Sequence, residues 1–368
     1  MSGLLAGVRD DLARRGVDTP TPAEIAVSVQ RVQHGETDLR IVDDVRSLAR
    51  EFSGLGELAV PLADPEVTDV LLNGPGPVWI DRGSGMEPTG LVIGDATRCR
   101  EIAVRLATAC GVRLDDVRPF ADGVITDLPA GVTAQAVRVH AVLAPPAGQG
   151  ACVSLRALSA SHRSLASLQD AGLFSPQIGD LLRDLVHRRE SILVSGGTGA
   201  GKTTLLAALL AEVPERERIL LVEDTPELFP DHPHVIGLRT RDAGVDGAGE
   251  IDVRTLVRQS LRMRPDRIVV GEIRGAEIAE LLLAFNTGHA GSAGTVHANG
   301  VDAVPGRLRA LGALAGLPDT AVDRQAADGI GMVVHVERTS AGRRVTSIGR
   351  FVVDDADGLT VERMWDAC

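Results

Sequence analysis

Two kinds of hydrophobic pattern divide the chain. Through residues 1–54, apolar positions recur at helical spacing: Leu4, Leu5, Val8 and Leu12, then Ile41, Val45, Leu48 and Phe52 at i, i+4, i+7 and i+11. Thr21-Pro22-Ala23-Glu24 carries a capping-box signature with Pro at the first helical position. A small helical appendage is expected. Across residues 55–155 the pattern shortens to apolar runs at Val70-Leu71-Leu72, Val78-Trp79-Ile80 and Val137-Arg138-Val139. Turn clusters such as Asn73-Gly74-Pro75-Gly76-Pro77 separate them. Ala96 to Ala109 sets Ile102, Leu106 and Ala109 on one helical face, and Val153-Ser154-Leu155-Arg156 reads as a last strand. This predicts a smaller α+β domain. Residues 156–170, rich in Ser, Ala and Leu without strong periodicity, read as a linker and hinge.

Residues 171–340 alternate helix and strand. Ile192-Leu193-Val194, Arg218 to Val222, Arg267 to Glu272 and Thr295-Val296-His297 read as strands. Helices are expected at Ile178–His187, Thr204–Leu210, Ala276–Phe285 and from an Asp252 cap to Met263. Such alternation implies a parallel sheet with helices on both faces, which binds ligands at the C-terminal ends of its strands. Residues 341–368 stand apart as a C-terminal segment.

Composition narrows the function. The 368 residues carry 38 basic and 50 acidic side chains, a net charge of −12, which argues against a non-specific binder of nucleic acid or anionic lipid. Cys99, Cys110, Cys152 and Cys368 show no C-x-x-C pairing, so neither a zinc site nor a disulfide scaffold is expected. The N-terminus becomes charged too early for a signal peptide, and no apolar stretch approaches the roughly 20 residues that span a bilayer. A cytoplasmic location is expected, with any membrane association going through partners.

The chemistry centres on Gly196-Gly197-Thr198-Gly199-Ala200-Gly201-Lys202-Thr203, which meets G-x-x-x-x-G-K-[ST] between a strand and a helix beginning at Thr204. Glycines let backbone N–H groups turn inward, and the helix N-terminus adds partial positive charge. Lys202 would reach the β- and γ-phosphates, and the Thr203 hydroxyl would hold Mg²⁺. Glu272 follows an apolar strand, where an acid that orients water or Mg²⁺ belongs, although Gly271 precedes it instead of the usual Asp. Glu223 and Asp224 end the neighbouring strand and share that candidacy; each acid is otherwise a solvated strand end or a helix cap. His289 and His297 flank a glycine-rich turn and are candidates for hydrogen bonding near the nucleotide, or satisfied structural histidines. Among many arginines, Arg239, Arg241 and Arg156 are the candidates for phosphate contact.

These segments occur in a telling order. The glycine loop is followed by Val222-Glu223-Asp224, Leu261 to Arg267, Gly271-Glu272-Ile273-Arg274-Gly275-Ala276-Glu277, and Thr287-Gly288-His289 through His297-Ala298-Asn299. Together they resemble the secretion-superfamily ATPases of type II and type IV systems. The tight-adherence (Flp pilus) branch is the nearest in resemblance, on Asp69 to Pro75 and Arg118 to Asp122 as well. The likeness runs from about residue 55 to 340. It implies an α/β fold: a RecA-like P-loop domain with a parallel sheet, a smaller α+β N-terminal domain and the helical appendage. It further implies a homo-hexamer with ATP between the two domains, Mg²⁺, an inner-membrane platform protein as partner, and a peripheral place at the inner face of the cytoplasmic membrane. Glu272 becomes the Walker B glutamate, Glu223 with Asp224 the Asp box, and His289 with His297 the His box. Arg239 and Arg241 lie near the phosphates, and Gly271 is normal. Family members usually carry D-A-R-L-P-D-G-S-R in the N-terminal domain. This chain has Asp122-Gly123-Val124-Ile125-Thr126-Asp127-Leu128-Pro129-Ala130-Gly131-Val132-Thr133 there, so Arg118, Arg138 or Arg156 would have to substitute.

The expectation is therefore an ATP-hydrolysing motor for pilus assembly or secretion. A nucleic-acid translocating motor of RecA type is one rival, disfavoured by acidity and by only 2% aromatic residues. A nucleotide-gated scaffold without turnover is the other.

Overall fold

A computed structural model describes residues 2–17, 20–32, 38–83, 85–158, 164–241, 249–339, 342–354 and 358–367. Residues 159–163 of the expected linker, and Cys368, lie outside the described residues. The chain divides into two compact units, Met1–Ser159 and Ala160–Cys368.

The first unit opens with helices α1 (Ser2–Arg14), α2 (Pro22–Val32) and α3 (Asp38–Phe52). Val8, Leu12, Ile25, Val29 and Leu48 form their common core. The capping box closes as expected: Thr21 N donates to Glu24 Oε2 at 2.8 Å and Glu24 N to Thr21 Oγ1 at 3.3 Å. Then follow β1 (Asp69–Asn73), β2 (Gly76–Asp81), β3 (Met86–Ile93), α4 (Ala96–Ala109), β4 (Phe120–Ile125), β5 (Ala136–Leu143) and β6 (Ala151–Leu158). The six strands form one antiparallel sheet in the order β3-β2-β1-β6-β5-β4. Asp95 caps α4 by accepting from Arg98 N at 2.8 Å, and Cys99, Ile102, Ala103 and Leu106 seal the sheet's inner face. β3 and β4, which the apolar pattern did not announce, are the two edges. An edge strand needs little hydrophobicity, and β3 accordingly leaves most of its side chains exposed.

The second unit contains α5 (Leu165–Asp170), α6 (Pro176–His187), β7 (Ile192–Gly196), α7 (Lys202–Ala211), β8 (Ile219–Glu223), β9 (Val235–Arg239), α8 (Val253–Ser260), β10 (Arg267–Ile273), α9 (Ile278–Asn286), β11 (Ala293–His297), α10 (Val304–Leu314), α11 (Asp319–Gly329), β12 (Met332–Thr339), β13 (Gly342–Asp354) and β14 (Gly358–Asp366). The sheet order is β14-β13-β12-β7-β11-β10-β8-β9. From β12 to β9 the pairing is parallel, as the alternation predicts; β13 and β14 extend it antiparallel. Ile192 and Val194 join α5, α6 and α7 in one apolar layer, and Leu193 joins α8 to α11 in the other. This period of two is how a strand serves both faces.

Two expectations change in detail. The helix capped by Asp252 stops at Ser260, not Met263, because Arg264 takes a left-handed φ of 56° ahead of Pro265. Residues 341–368, set apart in the sequence, supply β13 and β14 to the sheet. Val345, Ile348, Phe351 and Leu359 are buried on these strands while their other residues are largely exposed, as a hairpin with one solvated face requires.

Candidate functional site

Parallel strands end together, so the register fixes the site. β11 aligns His297 with Gly196, and β12 aligns His335 with Ser195 and Val336 with Gly196. Glu223 ends β8 and Glu272 lies near the end of β10, which pairs with β8. The loop from Gly196 to Thr203 therefore opens at the C-terminal edge of the sheet, with Glu223, Glu272 and His297 on neighbouring strands.

Gly196 is fixed by close approach. Its φ is 155°, and a Cβ there would lie 2.2 Å from the Val336 carbonyl oxygen. The chain then turns through Gly197, Thr198, Gly199, Ala200 and Gly201 into α7, which starts at Lys202. Ala200 is buried, whereas Thr198 and Gly199 are exposed on the loop's outer side. The amides of the first helical turn lack intrahelical acceptors and make a natural anion site. Lys202 is buried, and its Nζ donates to the carbonyls of Gly196 at 3.1 Å and Gly197 at 3.0 Å. Burial lowers its pKa, against the raising influence of the Glu272 and Glu227 carboxylates. Thr203 and Thr204 are half-buried on the same turn.

Glu223 is a buried carboxyl whose Oε1 accepts from Glu227 N and Leu228 N, both at 3.0 Å. Burial raises its pKa to about 7, although these two amides and the charge of Arg239 pull the other way. Gly271 now has a physical account: a Cβ there would come within 2.8 Å of Glu223 Cγ. The carbonyl of Gly271 accepts from Thr295 Oγ1 at 2.7 Å. Glu272 is partly exposed and accepts from Arg274 Nε at 2.8 Å; Arg274 also lies 4.0 Å from Asp224.

Of the expected residues, the structure gathers Gly196 to Thr204, Glu223, Glu272 and His297. Arg239 ends β9, beside Glu223 in register. Arg241 donates from Nε to the Gly249 carbonyl at 2.7 Å. His289 precedes β11, at the end of the sheet opposite to the loop. Within one chain that position keeps it from the phosphates, because the five residues of β11 intervene. Arg156 belongs to the antiparallel sheet, where it is 64% exposed and donates to Asp69 at 3.1 Å.

Two residues at the loop, Arg343 and His335, escaped the sequence reading, and Arg274, within the segment 271–277, carries no role in it. Arg274 joins the acids through its place two residues after Glu272, a same-side spacing that was a readable signal. Arg343, from β13, donates from Nε to the Gly199 carbonyl at 3.0 Å. His335 is buried under Ser195, with Nδ1 2.9 Å from Ser195 Oγ and Nε2 3.2 Å from Glu337. Burial lowers the His335 pKa, opposed by Glu337. Neither Arg343 nor His335 belongs to a local motif, so sequence offered no signal for them.

No group of three or more His, Cys, Asp or Glu side chains able to hold a metal occurs among the described residues. Mg²⁺ does not require one, since it is commonly held by one or two protein oxygens together with phosphate oxygens and water. The hydroxyl of Thr203 and the carboxylate of Glu272 are hard oxygen donors of that kind. Glu223 offers one oxygen, the other being committed to two amides.

The profile of the type II/IV secretion system protein family matches residues 56–331. A putative conjugal transfer protein of Mycobacterium tuberculosis (strain H37Rv) is 50% identical over 307 residues, covering 83% of this chain and 87% of that protein. The type IV secretion system protein VirB11 of Brucella suis biovar 1 is 32% identical over 273 residues, 67% of this chain and 73% of that protein. In fold, the chain resembles the pilus retraction motor PilT, solved with bound ADP. The TM-score is 0.57 at 20% identity, over 83% of this chain and 81% of that one.

Proposed function

The chain belongs to the type II/IV secretion system protein family, and we propose that it is a Mg²⁺-dependent ATPase, a homo-hexameric motor that powers pilus assembly or protein secretion. One observation carries the reading: a buried lysine closes a glycine loop at the C-terminal edge of a parallel sheet, with carboxylates delivered there by two neighbouring strands. Loop amides and Lys202 hold the phosphates of ATP. Thr203 and Glu272 would hold Mg²⁺, which would supply positive charge to meet the charge spread over the transferring phosphoryl group. Glu272 also orients the attacking water, and Glu223 steadies that water from the next strand. His297 hydrogen-bonds near the γ-phosphate. Arg239 and Arg241 supply positive charge, Arg241 after giving up its Gly249 bond. Arg156 is a further nucleotide contact, and His289 becomes one only from a neighbouring subunit of the ring.

No helix of the described residues is long and apolar enough to cross a membrane, which suits a motor that reaches the inner face of the cytoplasmic membrane through an inner-membrane platform protein. Within the family we place the chain in the tight-adherence branch, on Asp69 to Pro75 and Arg118 to Asp122.

Phosphate release from ATP tests the reading. Lys202→Ala is expected to lose nucleotide affinity and turnover together. Glu272→Gln is expected to keep affinity and lose turnover by about a hundredfold or more. Wild-type rates in both variants, with the fold intact by circular dichroism, would rule it out.

A further inference from the structure

Two buried side-chain bridges cross between neighbouring strands of the parallel sheet at matching places. Thr295 Oγ1 on β11 donates to the Gly271 carbonyl on β10 at 2.7 Å, one residue before Glu272. Ser195 Oγ on β7 lies 2.9 Å from His335 Nδ1 on β12, one residue before Gly196. Ser195, Thr295 and His335 are all buried. Each bridge grips a strand just before it delivers a residue to the phosphate site.

A histidine is costly at this position. Val333, Val334 and Val336 beside it are buried, and a fourth valine would need no polar partner. The imidazole gives up water instead, and its Nε2 is buried without a hydrogen bond among the described residues. The Glu337 carboxylate stands 3.2 Å from that nitrogen, and its negative charge favours the tautomer protonated at Nε2. Nδ1 is then an acceptor, and the Ser195 hydroxyl donates to it. The bond ties β7 to β12 where the chain is about to leave the sheet.

Resting on the phosphate-site reading above, we propose that His335 is a positioning residue, which through Ser195 holds Gly196 and the first turn of the loop in the shape that phosphate oxygens require. The need arises on binding. Without phosphate, Lys202 braces the loop by donating to the carbonyls of Gly196 at 3.1 Å and Gly197 at 3.0 Å. A lysine that turns to a phosphate releases both. The Gly196 carbonyl then relies on the longer bond from Ala298 N at 3.4 Å. The Ser195–His335 bond takes no part in that exchange, so it braces the loop before and after binding. Such preorganisation lowers the ordering cost met when a ligand binds. Ground state and transition state use the same loop, so loss of the brace should raise KM and spare kcat.

Three variants of the full chain test the brace. Ser195→Ala removes one oxygen, His335→Val gives the strand its neighbours' residue, and His335→Asn keeps an acceptor near the place of Nδ1. ATP turnover and calorimetric titration with inorganic pyrophosphate are measured on each. Ser195→Ala and His335→Val are each expected to raise the KM for ATP about three- to tenfold, with kcat within about twofold, and to weaken pyrophosphate by a similar factor. The double variant should go no further than either single one, because both break the same bond. His335→Asn should return to within about twofold of wild type. Should His335→Val fail to fold, Ser195→Ala and His335→Asn carry the test between them. Additive losses in the double variant, a kcat loss that matches the KM rise, or pyrophosphate binding in Ser195→Ala equal to wild type overturns the proposal and leaves the phosphate-site reading standing. A folded wild type that binds neither ATP nor pyrophosphate overturns that reading, and the brace with it.

Discussion

The two sheets of this chain treat polar residues in opposite ways. In the antiparallel sheet, β5 buries Val137, Val139 and Ala141 and turns Arg138 and His140 outward. The outward charges find each other across strands: Arg138 with Asp122 at 3.2 Å, Arg156 with Asp69 at 3.1 Å. Exposed pairs of this kind contribute about 0–1 kcal/mol and satisfy themselves. The parallel core has no outward face. All five residues of β7 and of β8 are buried. Charge is excluded along most of the strands and accumulates where they stop, at Lys202, Glu223 and Glu272. At Glu223 burial raises the pKa and at Lys202 burial lowers it. Topology thus decides which of the two sheets can hold reactive groups.

The largest expected effect comes from disturbing the head of β7. A Cβ on Gly196 would meet a backbone carbonyl at 2.2 Å, and neither side can give way cheaply. Gly196→Ala is expected to cost about 3 kcal/mol or more. Gly90, on edge strand β3 of the other sheet, has nothing within 4 Å of its Cβ position. Gly90→Ala should stay within about 0.5 kcal/mol of wild type. Urea denaturation of the two variants measures the contrast, and equal losses would break it.

The same contrast explains what could be read from residues alone. The glycine loop was legible because its four fixed positions are local and sit between an apolar run and a strong helix former. Glu272 was legible from its strand, whereas the need for Gly271 was not: it depends on Glu223, distant in sequence and adjacent only across the β8–β10 ladder. The antiparallel sheet showed its central strands and hid its edges, because β3 and β4 lack a sustained apolar face. A cavity beside the phosphate loop was invisible in advance. Its apolar side comes from the six-residue α5 and the turn after it, too short to display a period. Arg343 reads in sequence as one more surface arginine until the hairpin brings it to Gly199.

A second, smaller effect probes the buried end of β8. Burial lifts the Glu223 carboxyl from 4.5 to about 7, so between those values the folded chain holds a proton that the unfolded chain has released. Stability must then fall as pH rises through that window, and the whole loss is bounded on the order of 3 kcal/mol. Glu223→Gln cannot ionise and should not show it. In nucleotide-free protein with chelator present, denaturation midpoints of the two chains are expected to lie close at pH 5. They should separate by pH 8, with the Gln variant relatively more stable. Parallel pH profiles would mean that Glu223 is solvated in solution, which would remove the feature that sets this strand end apart from the outward charges of the antiparallel sheet.

The smallest expected effect falls on that antiparallel sheet, at Arg156. Its guanidinium is mostly exposed and already engaged with Asp69, so stability without it should change by no more than about 0.5 kcal/mol. On the function proposed above it would trade the Asp69 bond for a phosphate or ribose oxygen, an exchange of one exposed charge-assisted bond for another. The net gain is small, and Arg156→Ala is expected to raise the KM for ATP about two- to fivefold while leaving kcat unchanged. Asp69→Asn, which frees the guanidinium without removing it, should lower that KM. A loss of kcat of about a hundredfold in Arg156→Ala, with stability intact, would place a reactive group on the antiparallel sheet and end the division of labour argued from the two topologies.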